Sequence, residues 1–268
     1  MSSFDLTDDL PFDEPPYSTW DVAQHGPAPY PDWVITDHNA LDTELGVLKT
    51  GKEADVHLVR RALPDGPESL LAAKRYRSNE HRMFHRDVGY QEGRRTRKSR
   101  DTRAMAKRTT YGRDIAAGKW AIAEFDALAR FWMLGAPVPY PVQLNGTELM
   151  LEFIGDPDGT AAPRLAQCRP ALHELHELFT QCVDAMRLLA GAGYAHGDMS
   201  AFNLLVHRGR LIMIDLPQVV DIVANPQGPA FLERDCTNVC RWFANRGLDT
   251  PELDHLFGDL MAEAVAHW

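Results

Sequence analysis

Three polar residues in the second half of the chain have the types and spacing that metal-assisted phosphoryl transfer requires. His196-Gly197-Asp198-Met199-Ser200-Ala201-Phe202-Asn203 has the form H-G-D-x-x-x-x-N, and Asp215 follows Asp198 by 17 residues, after the apolar run Leu211–Ile214. Moving a phosphoryl group needs a carboxylate beside the acceptor oxygen and hard oxygen ligands for a divalent ion. Asp198 would orient or deprotonate the nucleophile, and Asn203 and Asp215 would hold the metal against the phosphates. Asp and Asn are also common turn residues, so any one of them alone would indicate only a turn. The three together, after a long helix and around a short hairpin, favour the chemistry.

Lys74 closes the run Leu71-Ala72-Ala73 and stands where a strand would present a cation to phosphates. Glu124 shares a helical face with Trp120, Leu128 and Phe131. A carboxylate on an apolar face needs a cation, because burying it alone is costly; a Lys74–Glu124 ion pair is expected. Thr50-Gly51-Lys52-Glu53-Ala54 fits neither G-x-x-x-x-G-K-[ST] nor G-x-G-x-x-G. A tight hairpin explains it, and its backbone amides with Lys52 could cover a triphosphate.

The elements that must position these residues follow from periodicity and turn signals. Leu45–Leu48, Val56–Val59 and Leu70–Tyr76 read as an antiparallel meander, with Glu148–Ile154 as a further strand leading to a hinge at Gly155-Asp156-Pro157. Helices are expected over 118–134, 171–192, 231–245 and 251–267, and a short hairpin over 203–214. Strands, one helix, strands and then mostly helices imply an α+β chain with a β-rich lobe at 41–154 and an α-rich lobe at 155–268.

The 268 residues carry a net charge of −10 with 44% hydrophobic content, and no apolar run reaches membrane-spanning length. No Lys or Arg precedes Lys49, whereas ten acids do. Residues 1–40, rich in Pro and Asp, are expected to be mostly disordered, with Trp20, Tyr30 or Trp33 as docking points. Nine cations lie within 94–113, a stretch poor in large apolar residues and expected to be a mobile loop. Cys168, Cys182, Cys236 and Cys240 form no C-x-x-C pair and read as reduced thiols of a cytoplasmic protein.

Taken with Leu151-Glu152-Phe153-Ile154-Gly155 and Ile214-Asp215-Leu216-Pro217-Gln218, these motifs make the chain resemble the RIO family of atypical serine/threonine protein kinases and ATPases, its RIO1-like branch most. The likeness runs from about residue 45 to 246 and includes Phe231–Cys236, Asn238 and Val239. It implies a two-lobed kinase-like fold with a shortened C-lobe, and ATP with Mg²⁺ (Mn²⁺ as a second candidate) as cofactors. Thr50, Lys52 and Glu53 would line the phosphate loop, with Val56 beside the nucleotide. Lys74, fixed by Glu124, would contact the phosphates, and Glu152 and Ile154 would offer hinge backbone groups to adenine. Residues 85–113 match the family's flexible loop, and Ser99, the one serine within it, is a candidate modified site. Some members form an aspartyl-phosphate on the metal-binding Asp, here Asp215. The chain departs from the family in reading His-Gly-Asp where many members have His-Ala-Asp, and it lacks A-P-E after Asp215.

Serine phosphorylation, including the chain's own serines, and ATP hydrolysis are the activities implied. Two other readings share some of the motifs. A small-molecule phosphotransferase of the aminoglycoside-kinase type also carries H-G-D-x-x-x-x-N, but only about forty residues separate hinge and catalytic loop here. An ATP-gated assembly factor would use the basic stretch on RNA or a ribosomal particle.

Overall fold

The computed structural model describes residues 17–77 and 110–266. Six strands, β1 (Gln24–His25), β2 (Leu41–Thr50), β3 (Ala54–Ala62), β4 (Glu68–Tyr76), β5 (Pro141–Asn145) and β6 (Glu148–Glu152), form an antiparallel sheet in the order β1-β5-β6-β4-β3-β2. Helix α1 (Thr110–Met133) joins β4 to β5 in the chain. The rest is α-rich: α2 (Leu172–Gly191), the short pair β7 (Tyr194–Ala195) and β10 (Val220–Asp221), the hairpin β8 (Leu204–His207) and β9 (Arg210–Met213), then α3 (Gly228–Ala244) and α4 (Leu253–Val265). This is the α+β, two-lobed order expected from the sequence.

Strand alternation divides the sheet into two working faces. On one, Tyr76 and Leu149 join Ala117, Ala121, Phe125 and Leu128 of α1 in a core continuous with the α-rich lobe. On the other, Val59, Leu71, Ala73, Val142 and Met150 form a second apolar cluster. Lys74 follows Ala73, so its side chain lies on the α1 face, which is the face the cleft uses.

The second cluster explains the main departure from the sequence-based expectation. Residues 1–40 were expected to be mostly disordered, docking through Trp20, Tyr30 or Trp33; from Tyr17 onward the chain is instead laid along the sheet, with Trp20 and Trp33 as anchors. Trp20 is buried in the second cluster, and Trp33 and Val34 pack against it. His25 stacks on Trp20 at 3.9 Å between ring centroids, and β1 pairs with β5. Pro and Asp content suggested disorder, but Trp20 and Trp33 have an apolar sheet face to cover. Two of the ten early acids belong to β2 rather than to a tail. Asp42 receives both Nε and Nη2 of the fully buried Arg61 at 2.8 Å, and Glu44 accepts from Arg75 at 2.7 Å.

Helix α1 begins at Thr110, earlier than the expected Gly118. Thr110 to Gly112 are poor helix formers that read as the end of the basic stretch. The basic residues before Thr110, Ser99 and the tail before Tyr17 lie outside the described residues. In α2 the apolar stripe is buried at Leu175, Cys182, Met186 and Leu189, whereas Leu172, in the first turn, is exposed. All four cysteines are free, and burial pushes the Cys236 thiol up to about 12. No helix among the described residues is long and apolar enough to cross a membrane.

Candidate active site

Lys74 is the centre of the site. Its Nζ lies 2.8 Å from Glu124 Oε1 on α1 and 2.9 Å from Asp215 Oδ1, just beyond β9. Glu124 is 1% exposed, and its second oxygen accepts a short hydrogen bond from Tyr76 Oη. Burial opposes the charge on Lys74, but the carboxylates of Glu124 and Asp215 outweigh it and hold the ammonium's pKa well above 10.5. Burial likewise opposes the charge on Asp215, and Lys74, His196 and Lys49 overcome it, holding the carboxyl below 3.8. One ammonium thus joins β4, α1 and the segment after β9 across the cleft.

Asp215 has a φ of +67°, a left-handed conformation rarely taken outside glycine and its short polar neighbours. The chain turns sharply there and sends the carboxylate back toward Lys74. Opposite it, Asn203 Nδ2 donates to the Asp198 backbone carbonyl at 2.9 Å and to Asp198 Oδ2 at 3.2 Å. These bonds orient Asn203 and leave its Oδ1 as the acceptor.

The loop carrying Asp198 is held from behind. Gly197 takes a φ of +82°, in which an alanine would be strained, so the His-Gly-Asp departure has a local backbone reason. The N–H groups of Gly197 and Met199 each donate at 2.8 Å to a different oxygen of Asp235 on α3. Asp235 is 1% exposed, and burial raises its pKa against the pull of His196 and those amides. Asn238 Nδ2 donates to Met199 O at 3.1 Å, and Arg234 Nη2 donates to Gly197 O. The Asp198 N–H faces His196 Nδ1 at 3.3 Å, and His196 Nε2 lies 3.2 Å from Ile214 O. The sequence drew attention to Arg234, Asp235 and Asn238 only as part of the family likeness; their contacts show why they stand there.

The β2–β3 turn roofs the cleft. Gly51 N–H closes it on Ala54 O at 3.0 Å, and Arg77 N–H donates to Glu53 O at 2.8 Å. Register sets Lys49 against Val56 and Val56 against Lys74, so the three share the cleft face. A bulge between Val47 and Lys49 creates that phase. Thr50 pairs with Asp55, whose carboxylate binds Arg77, so the register turns its side chain away from the row. Lys52 is exposed in the turn. Desolvation and the nearby Asp215 raise the pKa of Glu53. Lys49 is a cleft residue that the sequence reading missed. Desolvation and Arg164 lower its pKa while Asp215 pulls the other way. Counting strand phase outward from Lys74 would have found it.

At the hinge, Glu152 N–H donates to Tyr140 O at 2.9 Å, and Glu152 Oε2 accepts from Tyr140 N–H at 3.1 Å. Ile154 O accepts from Ala162 N–H at 2.9 Å, and its own N–H donates to no acceptor among the described residues. No group of three His, Cys, Asp or Glu side chains among the described residues could hold a metal alone. Asn203 Oδ1 and the Asp215 carboxylate do fit a hard divalent ion that takes its remaining ligands from phosphate and water.

A model of the RIO domain matches residues 68–256. The chain is 35% identical over 210 residues to the RIO-type serine/threonine-protein kinase Rio1 of Haloferax volcanii, covering 78% of this chain and 66% of that protein. It is 31% identical over 219 residues to the serine/threonine-protein kinase RIO1 of Caenorhabditis elegans (79% and 39%), and 30% identical over 244 residues to the human protein of that name (87% and 38%). The chain therefore spans just under two thirds of the archaeal relative and about two fifths of the animal ones. Their likeness and the matched domain agree on one assignment: the chain belongs to the RIO family.

Proposed function

We propose that this chain transfers the terminal phosphoryl group of ATP to serine hydroxyls, its own among them, and hydrolyses ATP when water takes the acceptor's place. The observation that carries this reading is the convergence of Lys74, anchored by Glu124 in the N-lobe, on Asp215 of the C-lobe, beside the hydrogen-bonded pair Asp198 and Asn203.

Each residue then has a task. Lys74 binds the phosphates, and Glu124 with Tyr76 fixes where its ammonium can be. Lys49 and Lys52 add positive charge above the triphosphate. Asp198 accepts the proton of the acceptor hydroxyl as the new P–O bond forms and the bond to ADP breaks, and ADP keeps the electron pair. Asn203 and Asp215 would hold Mg²⁺, or Mn²⁺ as a second candidate, which when bound neutralises charge on the phosphate oxygens. The hinge backbone, Ile154 N–H above all, receives adenine. Family membership weighs against the small-molecule phosphotransferase. The reading also keeps a cytoplasmic location, with RNA or a ribosomal particle as partner of the basic stretch 94–113, of which residues 94–109 lie outside the described residues.

The test is incubation with γ-labelled ATP and Mg²⁺, scoring phosphoprotein and free phosphate separately. The wild type should yield label in serine, free phosphate or both, and Asp198→Asn and Asp215→Ala should lose both signals. Full turnover in either variant would overturn the assignment.

A further inference from the structure

We propose that the segment from Tyr17 to Ala40 is a strap that sets the position of the hinge, with Trp33 and Tyr140 as positioning residues for the adenine end of ATP. The proposal rests on the reading of Glu152 and Ile154 as the adenine-facing residues.

The strap lies on the sheet face opposite α1, and the matched domain span begins only after it, at residue 68. Its attachment concentrates on one place. Gly26 N–H donates to Val142 O at 3.1 Å, and a Cβ on Gly26 would stand 1.9 Å from Pro141 O, so only glycine lets the two backbones meet there. The next residue, Pro27, offers its carbonyl to Tyr140 Oη at 2.9 Å. Trp33 meets the Tyr140 ring edge-on at 5.9 Å, and Trp132 at the end of α1 does so at 4.9 Å. Thr19 Oγ1 accepts from Gln143 Nε2 at 2.7 Å, and Gln143 in turn accepts from the buried Arg61.

Tyr140 is the pivot. Its side chain is fully buried between strap and α1, and its backbone N–H and carbonyl both bind Glu152. Burial, with Tyr30 nearby, pushes its phenol up to about 12, so it stays a donor to Pro27 across the neutral range. A ring held on two sides by aromatic edges and tied at its hydroxyl fixes the backbone that fixes Glu152. Loosening the strap lets the hinge sample positions that do not accept adenine, and apparent affinity falls with the competent fraction. Among the described residues no hydrogen bond, ion pair or ring contact joins the strap to Lys74, Asn203 or Asp215, so the triphosphate subsite should be unaffected.

The experiment measures binding of adenosine, ATP and inorganic tripolyphosphate to the full chain by calorimetry, in wild type, Trp33→Ala, Trp33→Phe, Tyr140→Phe and Gly26→Ala. Trp33→Ala, Tyr140→Phe and Gly26→Ala should weaken adenosine and ATP by roughly three- to tenfold, the scale of one aromatic or hydrogen-bonded contact. Tripolyphosphate should change by less than about twofold, and Trp33→Phe should keep most of the adenosine affinity. Should Trp33→Ala melt below the assay temperature, Tyr140→Phe, which removes one hydroxyl, carries the test. Unchanged adenosine affinity in Tyr140→Phe and Gly26→Ala overturns the strap's role while leaving the phosphotransfer reading standing. Equal losses for adenosine and tripolyphosphate overturn it too, because they report a loosened lobe. A wild type that binds neither ATP nor tripolyphosphate overturns both.

Discussion

Asp235→Asn isolates what holds the loop that carries Asp198. The substitution keeps size and one carbonyl oxygen, but two backbone N–H groups, from Gly197 and Met199, now face one acceptor and one amide N–H₂. One charge-assisted bond is lost, and a buried donor confronts a donor. Bonds to a charged acceptor contribute about 1.5–3 kcal/mol, and a stranded buried donor adds to that, so the cost is about 2–4 kcal/mol. For a chain of this size that is a fall in Tm of roughly 5–15 °C. Asp198 lies between the two amides, one of them released, and a displacement on the order of 1 Å lowers turnover by about a hundredfold. Affinity for ATP should hold, since Lys74 and the hinge are elsewhere. Melting curves, nucleotide titration and ATP turnover on the same preparation make the test. A variant with wild-type Tm and wild-type turnover would show that α3 does not position the loop through this carboxylate.

Lys74→Met leaves Glu124 buried with only Tyr76 as partner among the described residues and should cost about 3 kcal/mol together with a hundredfold or greater loss of turnover, by about the scale of a lost phosphate contact; Lys74→Met/Glu124→Leu should recover much of the stability in urea melts and none of the turnover. The Asp215 carboxyl sits below 3.8 in the fold, so its stabilisation is complete above about that pH and is lost as pH falls through the folded value. Wild type and Asp215→Asn should therefore differ in Tm at pH 7, wild type higher, and converge as pH falls through the lowered folded value. Lys49→Met should raise the KM for ATP by roughly two- to fivefold, with the difference shrinking in high salt, as an exposed charge requires. Initial rates at two ionic strengths decide it.

The arrangement of Asp198, Asn203 and Asp215 was the most legible part of the sequence because their spacing is local. The hairpin of β8 and β9 brings them together whatever the rest of the fold does. The Lys74–Glu124 contact was also readable, since a carboxylate on an apolar helix face must find a cation. Long-range pairing was harder. β5 carries Val142, Gln143 and Leu144, of which Gln143 breaks the apolar pattern because it serves the buried Arg61. The strap was read as mostly disordered from its Pro and Asp content; its aromatics marked docking points, but composition does not report that they have a sheet face of the same chain awaiting them. Asp235 gave no local signal: its role exists only because α3 passes behind the loop.

The bulge before Lys49 has an electrostatic meaning. An unbulged β2 would set Leu48 against Val56 and Lys49 against Asp55, turning the ammonium to the far side of the sheet. One unpaired backbone residue thus decides whether the roof of the cleft offers one sign of charge or none at that point. A one-residue insertion or deletion here should take the Lys49 charge off the roof, altering nucleotide affinity without changing a single ionisable residue.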